Sequence, residues 1–199
     1  LEPDNFTSSV FTEHKIATLN VGATFVFGQN YLSYPDRKFN ISESNLPSLN
    51  VNYRKTFGAD NSEFNADLIT ANLKQDINAG NYGEFFYHVR GGMFLKNKNI
   101  AFMDNLQAKG NQMFIVTDNN RRNNFGLLEY YRFYTNNRYA EAHLEHNFNG
   151  YLLRKIPLIN KLNFHLVAGI KGLFMLGENP YSEYSICLLY TSPSPRDEK

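Results

Sequence analysis

Apolar and polar residues alternate with a period of two in segment after segment of this chain, the signature of β-strands that present one apolar face. Residues 16–27 place Ala17, Leu19, Val21, Ala23, Phe25 and Phe27 on one side and Thr18, Asn20, Gly22 and Thr24 on the other. Residues 49–57 read as a second strand. Within 64–77 the apolar parity switches from Phe64, Ala66 and Leu68 to Ile69, Ala71, Leu73 and Ile77. A β-bulge near Leu68 would exchange the faces in this way. The Asn- and Gly-rich residues 78–83 predict a tight hairpin turn. In the next strand, 83–95, Phe85, Tyr87, Val89, Met93 and Leu95 oppose Glu84, His88, Arg90 and Gly92. Residues 125–134 read as a strand of blurred parity, buried on both sides or covered by a loop. Residues 163–176 set Phe164, Leu166, Ala168, Ile170, Phe174 and Leu176 against His165, Gly169 and Lys171, and 181–186 begin another strand.

Two patterns meet in residues 138–162. Ala140, Ala142, Leu144 and Phe148 share one parity, while Glu141, His143, Glu145 and Asn147 share the other. Beyond Asn149 and Gly150, Leu152, Ile156 and Ile159 recur at helical spacing with Arg154, Lys155 and Lys161 facing elsewhere, and Pro157 stops a long helix. That segment predicts an interfacial turn with its apolar side on a membrane or a barrel rim.

Polar stretches at 29–47 and 96–124 read as long loops, the second holding a short strand near 113–116. The chain is thus a meander of about seven or eight strands, with short turns alternating with long loops as in outer-membrane barrels. The fold class is all-β: an antiparallel up-and-down transmembrane β-barrel, present as an incomplete barrel over residues 1–186. Phe27, Tyr31, Tyr34, Tyr134, Tyr139, Phe148 and Tyr151 near strand ends suit interfacial girdles, or equally the core of a soluble sandwich.

Composition narrows this. The 199 residues include 13 Tyr, 17 Phe and no Trp, and the mean hydropathy is -0.46. No apolar run reaches the ~20 residues of a membrane helix. The net charge of +1 is spread without a basic stripe, so nothing points to nucleic acid. The chain opens at Leu1, and its natural N-terminus is expected upstream. At 187–197 the peptide CLLYTSPSPRD matches translated transposase adapter from short-read library preparation, so 187–199 are expected to be non-native. With them goes Cys187, the single cysteine.

The ionisable residues suggest little catalysis. His143, Glu145 and His146 are metal-ligand types, but His143 and His146 have opposite parity and cannot converge on a regular strand. An outer-membrane hydrolase with a Ser/His/Asp set at a barrel rim lacks a nucleophile elbow, and neither an HExxH helix nor a Gly-rich phosphate loop occurs. No catalytic, metal or cofactor residue is assigned. Glu84, His88, Arg90, Glu141, His143, Glu145, His165 and Lys171 read instead as compensating charges lining a wet lumen.

Several runs carry a family resemblance: Phe125-Gly-Leu-Leu-Glu-Tyr-Tyr131, Tyr134-Thr-Asn136, and Arg138 through His143-Leu-Glu-His-Asn-Phe-Asn-Gly150 to Ile156-Pro-Leu158 and Lys161-Leu162, with a weaker match at Phe102-Met-Asp104 and Gly110-Asn111. On these the chain resembles an outer-membrane β-barrel family of unknown function that follows carboxypeptidase-regulatory-like domains in Gram-negative envelope proteins. Phe148, Asn149, Gly150, Ile156, Pro157 and Leu158 are its motif positions. More distantly, a strand, an Ile-Pro-Leu turn and another strand look like the C-terminal half of BamA-like and TamA-like barrels. The resemblance implies the outer membrane, contact with its lipid, and a non-enzymatic role in envelope biogenesis, assembling or translocating outer-membrane protein clients with other envelope factors. A passive pore or receptor barrel is the alternative, and a soluble β-sandwich binding domain the third reading.

Overall fold

The computed structural model describes residues 15–28, 31–40, 46–58, 65–96, 105–110, 122–129, 132–157 and 164–190. In chain order the strands are β1 (Ile16–Val26), β2 (Tyr31–Ser33), β3 (Lys38–Asn40), β4 (Ser48–Gly58), β5 (Ala66–Asn78), β6 (Glu84–Lys96), β7 (Leu106–Gln107), β8 (Tyr134–Thr135), β9 (Arg138–Asn147), β10 (Phe164–Met175) and β11 (Tyr181–Tyr190). Seven of them build one antiparallel sheet in the order β1-β4-β5-β6-β9-β10-β11, while β2–β3 and β7–β8 are separate small pairs. The fold is therefore all-β, and its long strands run as a meander. Among the described residues the sheet does not close, since β1 and β11 form its two margins.

Residues directly opposite on neighbouring strands share a face, so the register sorts the sheet into two surfaces. Tyr87, Leu144, Ile170 and Tyr184 make one row across β6, β9, β10 and β11, and the next row is His88, His143, Lys171 and Glu183. In three pairs of sequence neighbours the apolar residue is the more exposed. Val89 is 41% exposed beside Arg90 at 7%, Leu144 is 36% beside His143 at 1%, and Ile170 is 49% beside Lys171 at 9%. The apolar face is bare, and the charged face is covered.

The cover is the chain between β6 and β9. Ala108, Phe125 and Leu128 from this connection pack with Leu173 and Met175 of β10. Leu106 packs on Ala66, Leu68 and Phe94. Residues 125–129, expected to open a strand over 125–134, contain none; only Tyr134–Thr135 is extended, paired with Leu106–Gln107. Their apolar side chains reach the sheet from an irregular backbone, so no alternation is required of them. The expected strand at 113–116 lies outside the described residues.

A register shift falls between Asp67 and Leu68, near the expected bulge. The extra residue belongs to β6, however: Asp67 faces Lys96 and Leu68 faces Phe94, which leaves Leu95 unmatched. β5 therefore keeps its faces. Leu68 is apolar on the charged side because Phe94 and Leu106 meet it there. Connection lengths also depart from expectation. The long connections 27–47 and 148–163 leave one end of the sheet and 97–137 the other, so neither end carries only short turns. Residues 29–47 are not wholly loop, since they hold β2 and β3, and β11 continues past Ile186 through Cys187 to Tyr190.

The predicted 78–83 turn forms, with a 3-10 turn over Gly80–Tyr82 and Asn78 Oδ1 accepting the Gly80 N–H at 2.8 Å. Gly83 closes it at φ 106, and a Cβ there would collide with the Asn147 carbonyl oxygen. Gly83→Ala will lower stability by more than about 1 kcal/mol, read from the urea unfolding midpoint; an unchanged midpoint would show that β6 and β9 do not approach this closely. In the 151–157 segment a 3-10 turn covers Leu153–Lys155, Leu152 and Ile156 are exposed, and Lys155 Nζ lies 4.2 Å from the centre of the Tyr151 ring.

Candidate functional site

The covered face concentrates ionisable groups because the strand period points every second residue of β6, β9, β10 and β11 the same way. Arg90 lies opposite Glu141, and His88, His143, Lys171 and Glu183 follow in the neighbouring row. Isolated charges this deeply covered would be costly, and Arg90, Glu141, Lys171 and Glu183 each have a partner; among the described residues neither ring nitrogen of His143 has a hydrogen-bond partner, its Nε2 lying 4.0 Å from Glu141 Oε2. Arg90 Nε pairs with Glu141 Oε1, both side chains almost wholly buried. Further along the Arg90 row, Asn72 Nδ2 donates to Asn50 Oδ1 at 3.3 Å and Asn50 Nδ2 to Thr24 Oγ1 at 2.8 Å.

The remaining partners come from the covering segment, residues 122–127, largely from its backbone. Arg90 Nη2 donates to the Asn123 carbonyl at 2.7 Å, and Lys171 Nζ to the Asn124 carbonyl at 2.6 Å. Glu183 accepts the Gly126 N–H at 2.8 Å on Oε2 and the Leu127 N–H at 2.9 Å on Oε1, and Tyr181 adds its hydroxyl to Oε1 at 2.7 Å. Side chains complete the set: His88 Nδ1 lies 2.8 Å from Asn123 Oδ1, and Arg122 Nε donates to Glu145 Oε1 at 3.1 Å. Arg122 also lies 3.6 Å from Asp76 and 5.6 Å from the centre of the Phe86 ring. At the centre, Phe125 is 1% exposed, its ring 4.8 Å from His143 and 5.7 Å from Tyr181.

Of the eight polar positions read from the sequence, the structure gathers His88, Arg90, Glu141, His143, Glu145 and Lys171. Two stand apart. Glu84 is exposed opposite Asn147, and His165 is half-buried opposite Leu189. His146 lies across the sheet from His143, between Phe85 and Phe148, as their parity required. Among the described residues no three His, Cys, Asp or Glu side chains form a metal-binding group. Sequence reasoning passed over Arg122, Asn123, Asn124 and Glu183. A signal existed in Phe125, Leu127 and Leu128, which make too apolar a run for a solvated loop.

The motif positions lie at the opposite end of the sheet from the segment's point of departure. Phe148 meets His146 edge-on at 4.3 Å, Asn149 and Gly150 take φ of 44 and 75, and Ile156 and Pro157 are exposed. Leu158 lies outside the described residues. The profile for the C-terminal domain of a family of unknown function, DUF5686, matches residues 2–188. The chain belongs to this family. No curated protein and no solved structure matches it significantly.

In this DUF5686 domain the covered face holds the chain's own residues 122–127. Cations meet carbonyl oxygens, a carboxylate meets amide hydrogens, and an aromatic side chain fills the space between them. Lys109 stands beside this network; desolvation by the surrounding atoms, then the Arg90 charge, lowers its pKa from the ordinary lysine value, and Glu141 acts the other way.

Proposed function

We propose that this domain is the lipid-embedded wall of an outer-membrane β-barrel whose charged face looks into an occluded lumen, and that it serves envelope protein assembly or translocation rather than passive permeation. One observation carries the membrane reading: along β6, β9 and β10 large apolar residues such as Val89, Leu144 and Ile170 stay bare on one face, while His88, Arg90, Glu141, His143, Glu145 and Lys171 are covered on the other. Charged side chains are rarely buried in soluble proteins, and large apolar patches are rarely left exposed. The apolar rows continue toward β1 through Val89, the half-buried Leu73 and Leu49, and Phe25. Outward positions of β6 from Phe85 to Leu95 cover about 33 Å along the strand, or about 25 Å at the usual tilt, matching the apolar band of such barrels.

The assembly role rests on the more distant BamA-like resemblance of a strand, an Ile-Pro-Leu turn and another strand. What disfavours a passive pore is the occupation of the charged face by residues 122–129, since a channel needs that space for water. A barrel of this kind would act through its seam or its lumen on a client strand entering the bilayer. The partners under this reading are outer-membrane lipid, outer-membrane protein clients and envelope assembly factors.

Ile170→Lys separates this reading from a soluble sandwich. Lysine at a half-exposed site of a soluble sheet costs within about 0.5 kcal/mol, whereas facing the bilayer midplane it costs about 2–4 kcal/mol. The comparison is made by urea unfolding of the full-length protein in vesicles, and a loss below about 0.5 kcal/mol would sink the membrane reading. Steady, selective single-channel conductance of the intact barrel would sink the assembly role and restore the pore.

A further inference from the structure

We infer that the covered face between β6 and β11 is a binding site for an incoming polypeptide segment that carries an aromatic residue, and that residues 122–128 are its resident occupant. This rests on the assembly reading above and names what the lumen receives. Four of the contacts that hold the segment are made to its backbone: Arg90 and Lys171 take two successive carbonyls, and Glu183 takes two successive amides. Such contacts are indifferent to side chains, so the clamp does not require this particular sequence. Charge-assisted bonds of this type are also the strong ones.

Selectivity comes from Phe125. The ring sits against His143 and Tyr181 and packs with Leu173 and Met175, a space that only a large apolar side chain fills. Gly126 is exposed, and a Cβ there would meet only Glu183 Oε2 within 4 Å, at an ordinary contact distance of 3.7 Å, so this position sets no size limit. The segment can also leave without dismantling the sheet. Residues 122–129 form no strand and belong to neither ladder of the β7–β8 pair, so an exchange breaks side-chain contacts and the Phe125 N–H to Lys109 carbonyl bond of 2.9 Å, but no sheet pairing.

The test uses the full-length protein in detergent micelles and a fluorescein-labelled heptapeptide of sequence RNNFGLL, followed by anisotropy. Two acceptors are compared with wild type: Phe125→Ala, which empties the aromatic space, and Gly126→Pro, which removes one N–H from the Glu183 clamp. The peptide is expected to bind either variant at least tenfold more tightly than wild type. Adding Glu183→Gln should weaken that binding about tenfold, the worth of one charge-assisted pair, and a peptide with alanine in place of phenylalanine should not bind. The inference is overturned if neither variant binds the peptide while circular dichroism reports an intact sheet, or if binding ignores both Glu183 and the peptide's phenylalanine. Loss of the sheet in both variants also overturns it, since the segment is then an inseparable part of the fold. Binding is measured without a bilayer, so a failure of the membrane reading in the Ile170→Lys experiment leaves this result separately readable.

Discussion

Replacing Glu141 with alanine will cost the fold about 3–5 kcal/mol, the usual penalty for stranding one member of a buried ion pair. The carboxylate is 4% exposed and pairs with Arg90, itself 7% exposed. Without it the guanidinium keeps only the Asn123 carbonyl among the acceptors described around it, in surroundings too covered to hydrate it. Removing both charges relieves the defect, because apolar residues of similar volume in place of a buried pair are often neutral. Arg90→Met with Glu141→Leu should therefore regain at least half of the loss, the remainder reflecting the Asn123 carbonyl left without its donor. Unfolding in urea at constant detergent, reported by tyrosine fluorescence, gives both numbers. A single-variant loss below about 1 kcal/mol would mean that water reaches Arg90 and that the face is wet after all.

Phe125→Ala should cost a similar amount, about 3–5 kcal/mol, as large-to-small changes at a filled core position do. Its particular consequence is local. Phe125 is the most buried apolar side chain of the segment, and Leu128 with Ala108 shares its cluster. With the ring gone, the polar contacts at Arg90, Lys171 and Glu183 hold the backbone alone, and proteolysis should cut first within residues 105–129 while the sheet persists. Leu127 supplies the control, since at 80% exposure its truncation should stay within about 0.5 kcal/mol. Equal effects at 125 and 127 would show that the segment is not docked by its aromatic residue.

The seven long strands were legible because a period of two survives any register and any neighbour. Residues 16–27 and 49–57 predicted β1 and β4 to within a residue at each end. What could not be read was anything that depends on which element lies over a face. Parity placed Glu141 and His143 together but said nothing of Asn123 or Phe125, which are brought to them by an irregular segment with no periodicity of its own. β7 and β8, two residues each, are too short for any pattern to register. The bulge illustrates the same limit: a change of apolar parity in 64–77 marked the right place, yet one strand's sequence cannot tell whether it or its neighbour holds the extra residue. Leu68 is inward because Phe94 and Leu106 are there, and only the three-dimensional neighbourhood carries that information. Glu183 escaped notice for a different reason, since β11 was expected to be cut short at Ile186 and its alternation was never weighed.

The clamp on Gly126 and Leu127 also bears on how the sheet yields. Glu183 stands on β11, a marginal strand, and fastens it to a segment wedged over the four strands from β6 to β11. At the opposite margin every residue of β1 is exposed, and among the described residues it pairs in the sheet with β4 alone. The sheet is thus hinged at one border and loose at the other. Its opening energies should be graded, lowest at β1 and rising toward the wedge, so that fraying, strand exchange or admission of a new strand starts from the β1 side and proceeds inward like the unpicking of a seam.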